Sequence, residues 1–257
     1  PANTGIRFRR VDIPDKPEIP ALVDFVVEVA RGTTLQIGEA RVHTVEHVLA
    51  ACVGLEIDNI VIELDNIEPP IMDGSSAPFA AALLSAEFEA QEAAKDYLII
   101  DQAVRYTDEK NGVDIVALPT DDYRLTVMID YQNPALGSQH TGLFNLEKEF
   151  IPEFASSRTF CFLHEVEMLH KQGLIKGGNL DNAIVILDQD MTDDQLRLIT
   201  SLEDLCLLLK SWRTLLCGLA HGLFTKLKSK SLSITAYSPW KKGQLCLMIT
   251  NYCLILI

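Results

Sequence analysis

Residues 42–51, Val-His-Thr-Val-Glu-His-Val-Leu-Ala-Ala, constrain the fold more than any other stretch of this chain. They place two histidines and a glutamate within a short segment and then continue as small apolar residues at helical spacing. The pattern predicts a helix over residues 43–55, with Thr44 as its N-cap and Gly54 at its end. A buried strand over residues 59–64 is predicted directly afterwards from a continuous apolar run.

The histidines and the glutamate of this helix indicate a possible metal site. One imidazole can bind an ion while a nearby carboxylate takes the proton from the bound water. Glu46 directly precedes His47, whereas the familiar zinc-protease pattern puts the glutamate directly after its first histidine. In a helix, His43 and His47 would also share one face and could bind zinc with a carboxylate such as Asp73. An ordinary helix start with surface side chains remains the alternative, and spacing alone leaves the question open.

Four further segments, in chain order, carry a resemblance to a known family. With Thr-Val-Glu-His at 44–47, the chain resembles the zinc-dependent UDP-3-O-acyl-N-acetylglucosamine deacetylases, whose reaction is the committed step of lipid A biosynthesis. The resemblance runs from residue 1 to about residue 200 and does not extend into the tail. The matching segments are Gly-Leu-Glu-Ile-Asp-Asn-Ile-Val-Ile-Glu-Leu at 54–64, Glu-Pro-Pro-Ile-Met-Asp-Gly-Ser-Ser-Ala-Pro at 68–78, Ser-Arg-Thr-Phe at 157–160 and Gly-Leu-Ile-Lys-Gly-Gly-Asn-Leu-Asp-Asn-Ala-Ile-Val at 173–185.

The resemblance implies a role for each of four residues. Glu46 would be the general base and His47 a zinc ligand. Thr159 matches the threonine that polarises the developing oxyanion, and Phe160 would line the sugar or acyl passage. Without the resemblance, Thr159 is equally well a turn or strand-end residue, and Phe160 is better interpreted as core. His43 has no ligand role in the family and is expected to be a surface residue.

The remainder of the family's zinc site is absent from this sequence. A catalytic zinc needs three protein ligands and one open position. The family takes its other two ligands from a His-Lys-x-x-x-Asp segment, and a further histidine protonates the leaving amine. The only histidine after residue 200 is His221, and no aspartate follows it. Two functions therefore remain open: a zinc deacetylase acting on the UDP-sugar, or a catalytically inactive remnant of that fold.

The order of predicted elements indicates an α+β chain of two similar units, residues 1–94 and 95–200. In the family, two such domains sandwich their helices between two sheets. The first unit is expected to be incomplete at its N-terminus, because the family has a glycine-rich strand upstream. Further predictions are an edge strand within residues 1–19, a strand over 21–30, a hairpin at Gly38, a helix over 78–86 capped by Ser76, strands over 97–106, 112–118, 123–131 and 182–187, a loop over 132–148, a glycine-rich turn at 173–178, and helices over 160–172 and 190–199.

The chemical character of the chain changes at about residue 201. Residues 201–257 contain 7 Lys and Arg against 2 Asp and Glu, whereas residues 1–200 contain 15 against 34. Four of the six cysteines also lie in this tail. We interpret residues 201–257 as a divergent tail, and the abrupt change favours a frameshifted reading over a true divergent end.

Composition excludes several classes of function. The net charge of −14 argues against nucleic acid as a partner, because phosphate binding needs a basic face. The apolar stretch 205–224 is interrupted by Lys210, Arg213 and His221, so stable membrane insertion is not expected. The cysteines form no C-x-x-C pair, which indicates reduced thiols in a cytoplasmic protein. Fusion to a downstream enzyme, as in some members of the family, is the remaining expected association.

Overall fold

A computed structural model of the chain describes residues 1–29, 32–95, 97–121, 123–133, 136–162, 165, 168 and 181–186, and the strand Gln244–Thr250. Strands and short helices alternate in these ranges, which confirms the α+β class predicted from the sequence. The predicted glycine-rich turn, most of helix 160–172, helix 190–199, stretch 205–224 and His221 lie outside the described residues. No helix within the described ranges is both long and apolar enough to cross a membrane.

The first sheet contains three strands in the order β2 (Glu18–Pro20), β1 (Ile6–Arg10) and β6 (Ile60–Leu64). β6 confirms the strand predicted at 59–64, but its predicted burial is wrong, because β6 lies at the edge of the sheet and only Leu64 is buried. The predicted edge strand is wrong, because β1 pairs antiparallel with β2 on one side and parallel with β6 on the other. Phe8 of β1 pairs with Ile19 and Ile62, and Phe8 and Ile19 are fully buried.

A second three-stranded sheet precedes the first long helix. It is formed by β3 (Val26–Glu28), β4 (Thr34–Ile37) and β5 (Ala40–Val42). The β4–β5 hairpin turns at Gly38, whose φ of 55° is left-handed, and this confirms the predicted hairpin. The strand predicted over 21–30 is shorter than expected, because a 3-10 turn occupies Val23–Phe25 ahead of β3.

The helix α1 (Glu46–Gly54) contacts two hydrophobic cores. Val45, Val48 and Leu49 pack with Phe8 in the core of the first sheets, while Ala50 packs with strands of a later sheet. α1 begins three residues later than predicted, and Thr44 is not its N-cap: Val45 holds that position without a side-chain cap.

The helix α2 (Ala77–Ser85) confirms the helix predicted at 78–86. Ser76 occupies its N-cap position but does not cap it. Its hydroxyl instead donates a buried 3.0 Å hydrogen bond to the carbonyl of Ala155. The neighbouring Ser75 Oγ accepts from the Ala77 N–H at 3.2 Å, so the first turn of the helix still finds a polar partner.

The third sheet has five strands in the order β10 (Ser138–Leu143), β9 (Arg124–Asp130), β13 (Gln244–Thr250), β8 (Val113–Thr120) and β7 (Val104–Asp108). The strands predicted over 112–118 and 123–131 are present as β8 and β9, whereas the strand predicted over 97–106 begins only at Val104. The predicted loop at 132–148 is wrong, since it contains β10 and the start of the helix α3 (Leu146–Glu149), which continues as a π-helical turn over Phe150–Phe154. β13, from the stretch after residue 201, pairs antiparallel with β8 and parallel with β9.

A parallel pair of strands, β11 (Phe160–Phe162) and β12 (Ile184–Ile186), follows α3 and its π-helical turn. β12 confirms the strand predicted at 182–187. The helix predicted to begin at Phe160 is wrong over its first three residues, because Cys161 turns inward and pairs with Val185 while the flanking phenylalanines are half-buried.

Candidate functional site

Glu46 is the first residue of α1, and its side chain turns back towards the segment before β4. Its Oε2 accepts a 3.0 Å hydrogen bond from the backbone N–H of Thr33. A Cβ added to Gly32 would lie 3.3 Å from Glu46 Oε1, so this approach leaves little space for a side chain at residue 32. Burial raises the pKa of Glu46, the hydrogen bond from Thr33 opposes that rise, and the charge of Glu68 adds to it. A carboxyl group with a raised pKa suits proton transfer near neutral pH.

His47 is buried, with 8% of its surface exposed. Burial lowers the pKa of its imidazole, and the negative charges of Asp73 and Glu68 partly oppose that change. The side chain is therefore held in its neutral form, which is the form that binds a metal cation. Glu46 and His47 together place a proton acceptor and a neutral imidazole at one end of α1.

The turn at Asp73 and Gly74 brings a third charged group towards His47. Asp73 Oδ1 accepts hydrogen bonds from the Ser75 N–H at 3.0 Å and the Ser75 hydroxyl at 2.8 Å. The backbone is left-handed at Met72 (φ 53°) and at Gly74 (φ 81°). A Cβ on Gly74 would lie 1.9 Å from the Asn182 carbonyl oxygen, so only glycine fits this close approach.

Thr159 is joined to this turn by backbone hydrogen bonds. Its N–H donates to the Gly74 carbonyl at 2.8 Å, and its own carbonyl accepts from the Ile184 N–H at 2.9 Å. The adjacent Arg158 Nε donates to the Asp73 carbonyl at 2.7 Å. Thr159 therefore lies against the turn that carries Asp73, whose negative charge opposes the lowering of the His47 pKa. More than a hundred residues separate Thr159 from His47 in the sequence.

Phe160 follows at the start of β11 and is half-buried. Its ring meets Tyr131 edge-on at a centroid distance of 5.9 Å and Phe162 at 6.0 Å. The three rings form an aromatic row beside Thr159. A partly exposed aromatic surface next to polar groups is a common lining for ligand sites.

The hypothesis that His43, His47 and Asp73 form a zinc site is wrong. His43 lies ahead of α1, because the left-handed backbone of Thr44 (φ 53°) interrupts the helix that would have aligned the two imidazoles. Its Nδ1 is instead 2.8 Å from the Thr34 hydroxyl, and it is half-buried rather than a surface residue. Across the part of the chain that the structure describes, no three His, Cys, Asp or Glu side chains converge as a metal site.

No part in the site was predicted from the sequence for three residues that contribute to it. Thr33 orders the carboxylate of Glu46, and Thr44 donates a hydrogen bond to Glu68. Glu68 lies in the Glu-Pro-Pro segment that carries the resemblance, so the sequence could have pointed to this residue but not to its contact with Thr44. The contacts of Thr33 and Thr44 are long-range, and no local pattern indicates them.

In comparison with known proteins, residues 1–201 match the family described as UDP-3-O-acyl N-acetylglycosamine deacetylase. The bifunctional enzyme LpxC/FabZ of Chlorobaculum tepidum is 58% identical over 77% of this chain and 42% of its own length. The UDP-3-O-acyl-N-acetylglucosamine deacetylase of Myxococcus xanthus is 42% identical over 72% of the chain and 59% of its own length. The Idiomarina loihiensis protein of the same name is 42% identical over 78% and 64%. The chain thus spans about two fifths of the bifunctional relatives and about three fifths of the others.

Proposed function

We propose that this chain, which belongs to the UDP-3-O-acyl N-acetylglycosamine deacetylase family, carries the general base and one metal ligand of a zinc-dependent hydrolase. The proposed reaction is hydrolysis of the acetamide of UDP-3-O-acyl-N-acetylglucosamine, with release of acetate, in lipid A biosynthesis. The Myxococcus and Idiomarina relatives, both named UDP-3-O-acyl-N-acetylglucosamine deacetylase, support this substrate. The observation that carries the proposal is the adjacency of Glu46 and buried His47 at the start of α1.

In this proposal Glu46 takes the proton from the attacking water. The Thr33 N–H restrains one carboxylate oxygen, which fixes the direction of the group. Burial raises the pKa of Glu46, which makes its carboxylate a stronger base than an exposed glutamate. Restraint and burial are the two properties that separate this glutamate from an ordinary surface residue.

His47 is the residue that would hold zinc. Its neutral, buried imidazole fits one coordination position, and the described residues do not supply the three ligands that a catalytic site needs. When bound, zinc supplies the acidity that makes a water nucleophilic at neutral pH. The sequence also lacks the His-Lys-x-x-x-Asp segment that supplies the other two ligands in the family.

Thr159 and Phe160 are the proposed substrate-facing residues. A threonine hydroxyl can donate to the oxyanion that develops as water attacks the acetamide carbonyl. The hydrogen bonds of its backbone to Gly74 and Ile184 would hold it in place for that role. The half-buried ring of Phe160 would line the passage for the sugar or the acyl chain.

The arrangement of domains is part of the proposal. α1 contributes to two hydrophobic cores, which supports helices sandwiched between two sheets of two similar domains, residues 1–94 and 95–200. We also propose a cytoplasmic location, supported by the free, buried thiol of Cys52. Three relatives are named as bifunctional LpxC/FabZ enzymes, so a fused downstream enzyme is a feature of such relatives.

A second candidate function is a catalytically inactive remnant of the fold. The incomplete ligand set among the described residues favours it, because metal affinity depends on the whole set being held in place. Such a protein would at most bind a nucleotide sugar or an acyl chain weakly.

One experiment separates the two candidates. Residues 1–257 are purified, and bound zinc per chain and acetate release from the UDP-sugar are measured. We expect little zinc and almost no turnover from this chain, because His47 alone leaves the ion short of two ligands. A chimera joining residues 1–201 to the remaining deacetylase segment of the Chlorobaculum relative should bind zinc and release acetate. An inactive chimera with a full complement of zinc would contradict the deacetylase assignment.

A further inference from the structure

We propose that Thr44 and Glu68 are positioning residues of this site: together they hold the turn that aims Glu46 and His47 from the start of α1. The inference rests on the proposed function, because it concerns the placement of the proposed base and metal ligand. It goes beyond that function, which assigns neither residue a role.

Thr44 has a backbone conformation that its side chain disfavours. Its φ is 53°, and β-branched residues are rare in this left-handed region because their side chains crowd the backbone. Such a conformation persists only when surrounding contacts enforce it, and it is found most often at functional sites. The same conformation occurs at Met72, beside Asp73, so two of these strained positions flank the site.

The contacts that enforce the turn come from two directions. The Thr44 hydroxyl donates a 2.5 Å hydrogen bond to Glu68 Oε1, and the N–H of the preceding His43 donates to the Ile67 carbonyl at 2.8 Å. On the other side, the Val45 N–H donates to the Thr33 carbonyl at 3.4 Å. Ile67 and Glu68 therefore bind the turn from one side, and Thr33, directly ahead of β4, binds it from the other.

The side chain of Thr44 in this turn and the carboxylate of Glu46 both lie close to Gly32. A Cβ placed on Gly32 would lie 3.3 Å from Glu46 Oε1 and 3.4 Å from Thr44 Oγ1. The Thr44 hydroxyl and the Glu46 carboxylate thus both lie against the side of Gly32 where a side chain would stand. When Glu68 holds the hydroxyl, Thr44 keeps one side-chain rotamer, and Glu46 keeps its hydrogen bond to the Thr33 N–H.

Glu68 is suited to this role because it is exposed apart from this contact. Its contact with Thr44 lies two residues from Glu46 in the chain, and its negative charge raises the pKa of Glu46 and opposes the lowering of the pKa of His47. A substitution of an exposed side chain leaves the cores intact, so an effect on the site can be separated from an effect on the fold.

The test measures the position of Glu46 through the amide proton of Thr33, in the full chain and without reference to turnover. Hydrogen exchange at this amide is followed by NMR in Thr44→Val and Glu68→Leu, which remove the hydroxyl or its acceptor. The matched variants Thr44→Ser and Glu68→Gln keep a hydroxyl or an acceptor oxygen at the same place. The Val11 amide, which donates to the Leu64 carbonyl at 2.8 Å, reports on the stability of the first sheet.

We expect the Thr33 amide to exchange about tenfold faster in Thr44→Val and Glu68→Leu, the size expected for the loss of one hydrogen bond. Thr44→Ser and Glu68→Gln should stay near the wild-type rate, and the Val11 amide should be unchanged in all four. Equal Thr33 rates in all variants, or equal acceleration of Thr33 and Val11 in the Glu68→Leu protein, would overturn the inference. If the wild-type chain and its chimera release no acetate while Thr33 responds as expected, the proposed function fails and the positioning of Glu46 stands.

Discussion

The backbone N–H of Thr33 donates a 3.0 Å hydrogen bond to Oε2 of Glu46, thirteen residues further along the chain. The bond restrains the carboxylate at the start of α1 and opposes the rise in its pKa that burial causes. A glutamine at residue 46 still offers an amide oxygen to the same N–H. The hydrogen bond and the ability to take a proton can therefore be separated by one substitution.

The first prediction concerns Glu46→Gln in the chimera that carries the relative's C-terminal segment. The variant should keep its zinc and lose turnover by about 10²–10⁴-fold, the usual contribution of a general base. His47→Ala should lose zinc first and activity as a consequence. Bound zinc and acetate release are the measurements, and Glu39→Gln, at an exposed hairpin turn, is the control. Full activity in Glu46→Gln would rule out the base.

Gly74→Ala should be the most destabilising small substitution near the site. A Cβ there would lie 1.9 Å from the Asn182 carbonyl oxygen in a backbone that is already left-handed, with φ at 81°. We expect the free energy of unfolding to fall by more than about 3 kcal/mol, because the overlap adds to a conformational strain of about 1–3 kcal/mol. Denaturant unfolding measures the change.

Gly38→Ala is the matched control for this prediction. Gly38 is also left-handed, with φ at 55°, but nothing lies within 4 Å of a Cβ built there. It should therefore cost only the conformational strain, about 1 kcal/mol. Equal losses at the two positions would mean that the approach of Asn182 to the turn is not as close as the structure indicates.

The contact between Gly54 and Phe150 gives a third prediction. A Cβ on Gly54 would lie 2.1 Å from Phe150 Cδ1, with two further ring carbons at 2.3 Å. Alanine normally stabilises a helix over glycine by about 0.5–1 kcal/mol, but here Gly54→Ala should destabilise the protein by about 1–3 kcal/mol. Phe150→Leu in the same chain should recover part of that loss. A double-mutant cycle with no coupling between the two positions would show that the ring and the helix do not touch.

A fourth prediction concerns acid stability. Hydrogen bonds from Arg9, at 2.5 Å, and Arg7, at 3.2 Å, hold the pKa of Glu18 below its ordinary value of 4.5. A carboxyl whose folded pKa lies below its unfolded value adds stability above the unfolded value and loses it as pH falls through the folded value. The thermal midpoint should therefore fall more steeply with acid in the wild type than in Glu18→Gln.

The pH series for Glu18 needs a matched surface carboxylate. Glu39→Gln, at the exposed β4–β5 turn, should leave the wild-type acid dependence in place. Parallel curves for the wild type and Glu18→Gln below pH 4.5 would show that the two arginines do not lower the pKa of Glu18.

Local sequence patterns predicted that individual strands and turns are present better than they predicted which elements lie beside them. The apolar run at β6 and the hairpin at Gly38 were found from sequence, because continuous hydrophobicity and a left-handed glycine act within a few residues. β1 was predicted as an edge strand and lies between two partners. Alternating side chains show that a segment is a strand, but the number of its neighbours depends on the rest of the sheet.

The start of α1 shows the same limit at the site itself. Helical spacing joined His43 to His47, yet the helix begins only at Glu46. Thr44 has a left-handed backbone, and its hydroxyl is bound to Glu68, twenty-four residues away. Helix propensity is a weak local preference, so tertiary contacts can override it at a residue such as Thr44.

The sequence by itself determined the adjacency of Glu46 and His47 and the motifs by which the family match over residues 1–201 is recognised. Residue identity and spacing along a chain are covalent facts, and short-range periodicity follows from backbone geometry. Only the tertiary structure brought Arg158 and Thr159 to the turn at Asp73 and Gly74, with the Arg158–Asp73 hydrogen bond spanning eighty-five residues. Partners at such distances are chosen by how sheets and helices pack, because buried polar groups bond to whichever group packing places beside them.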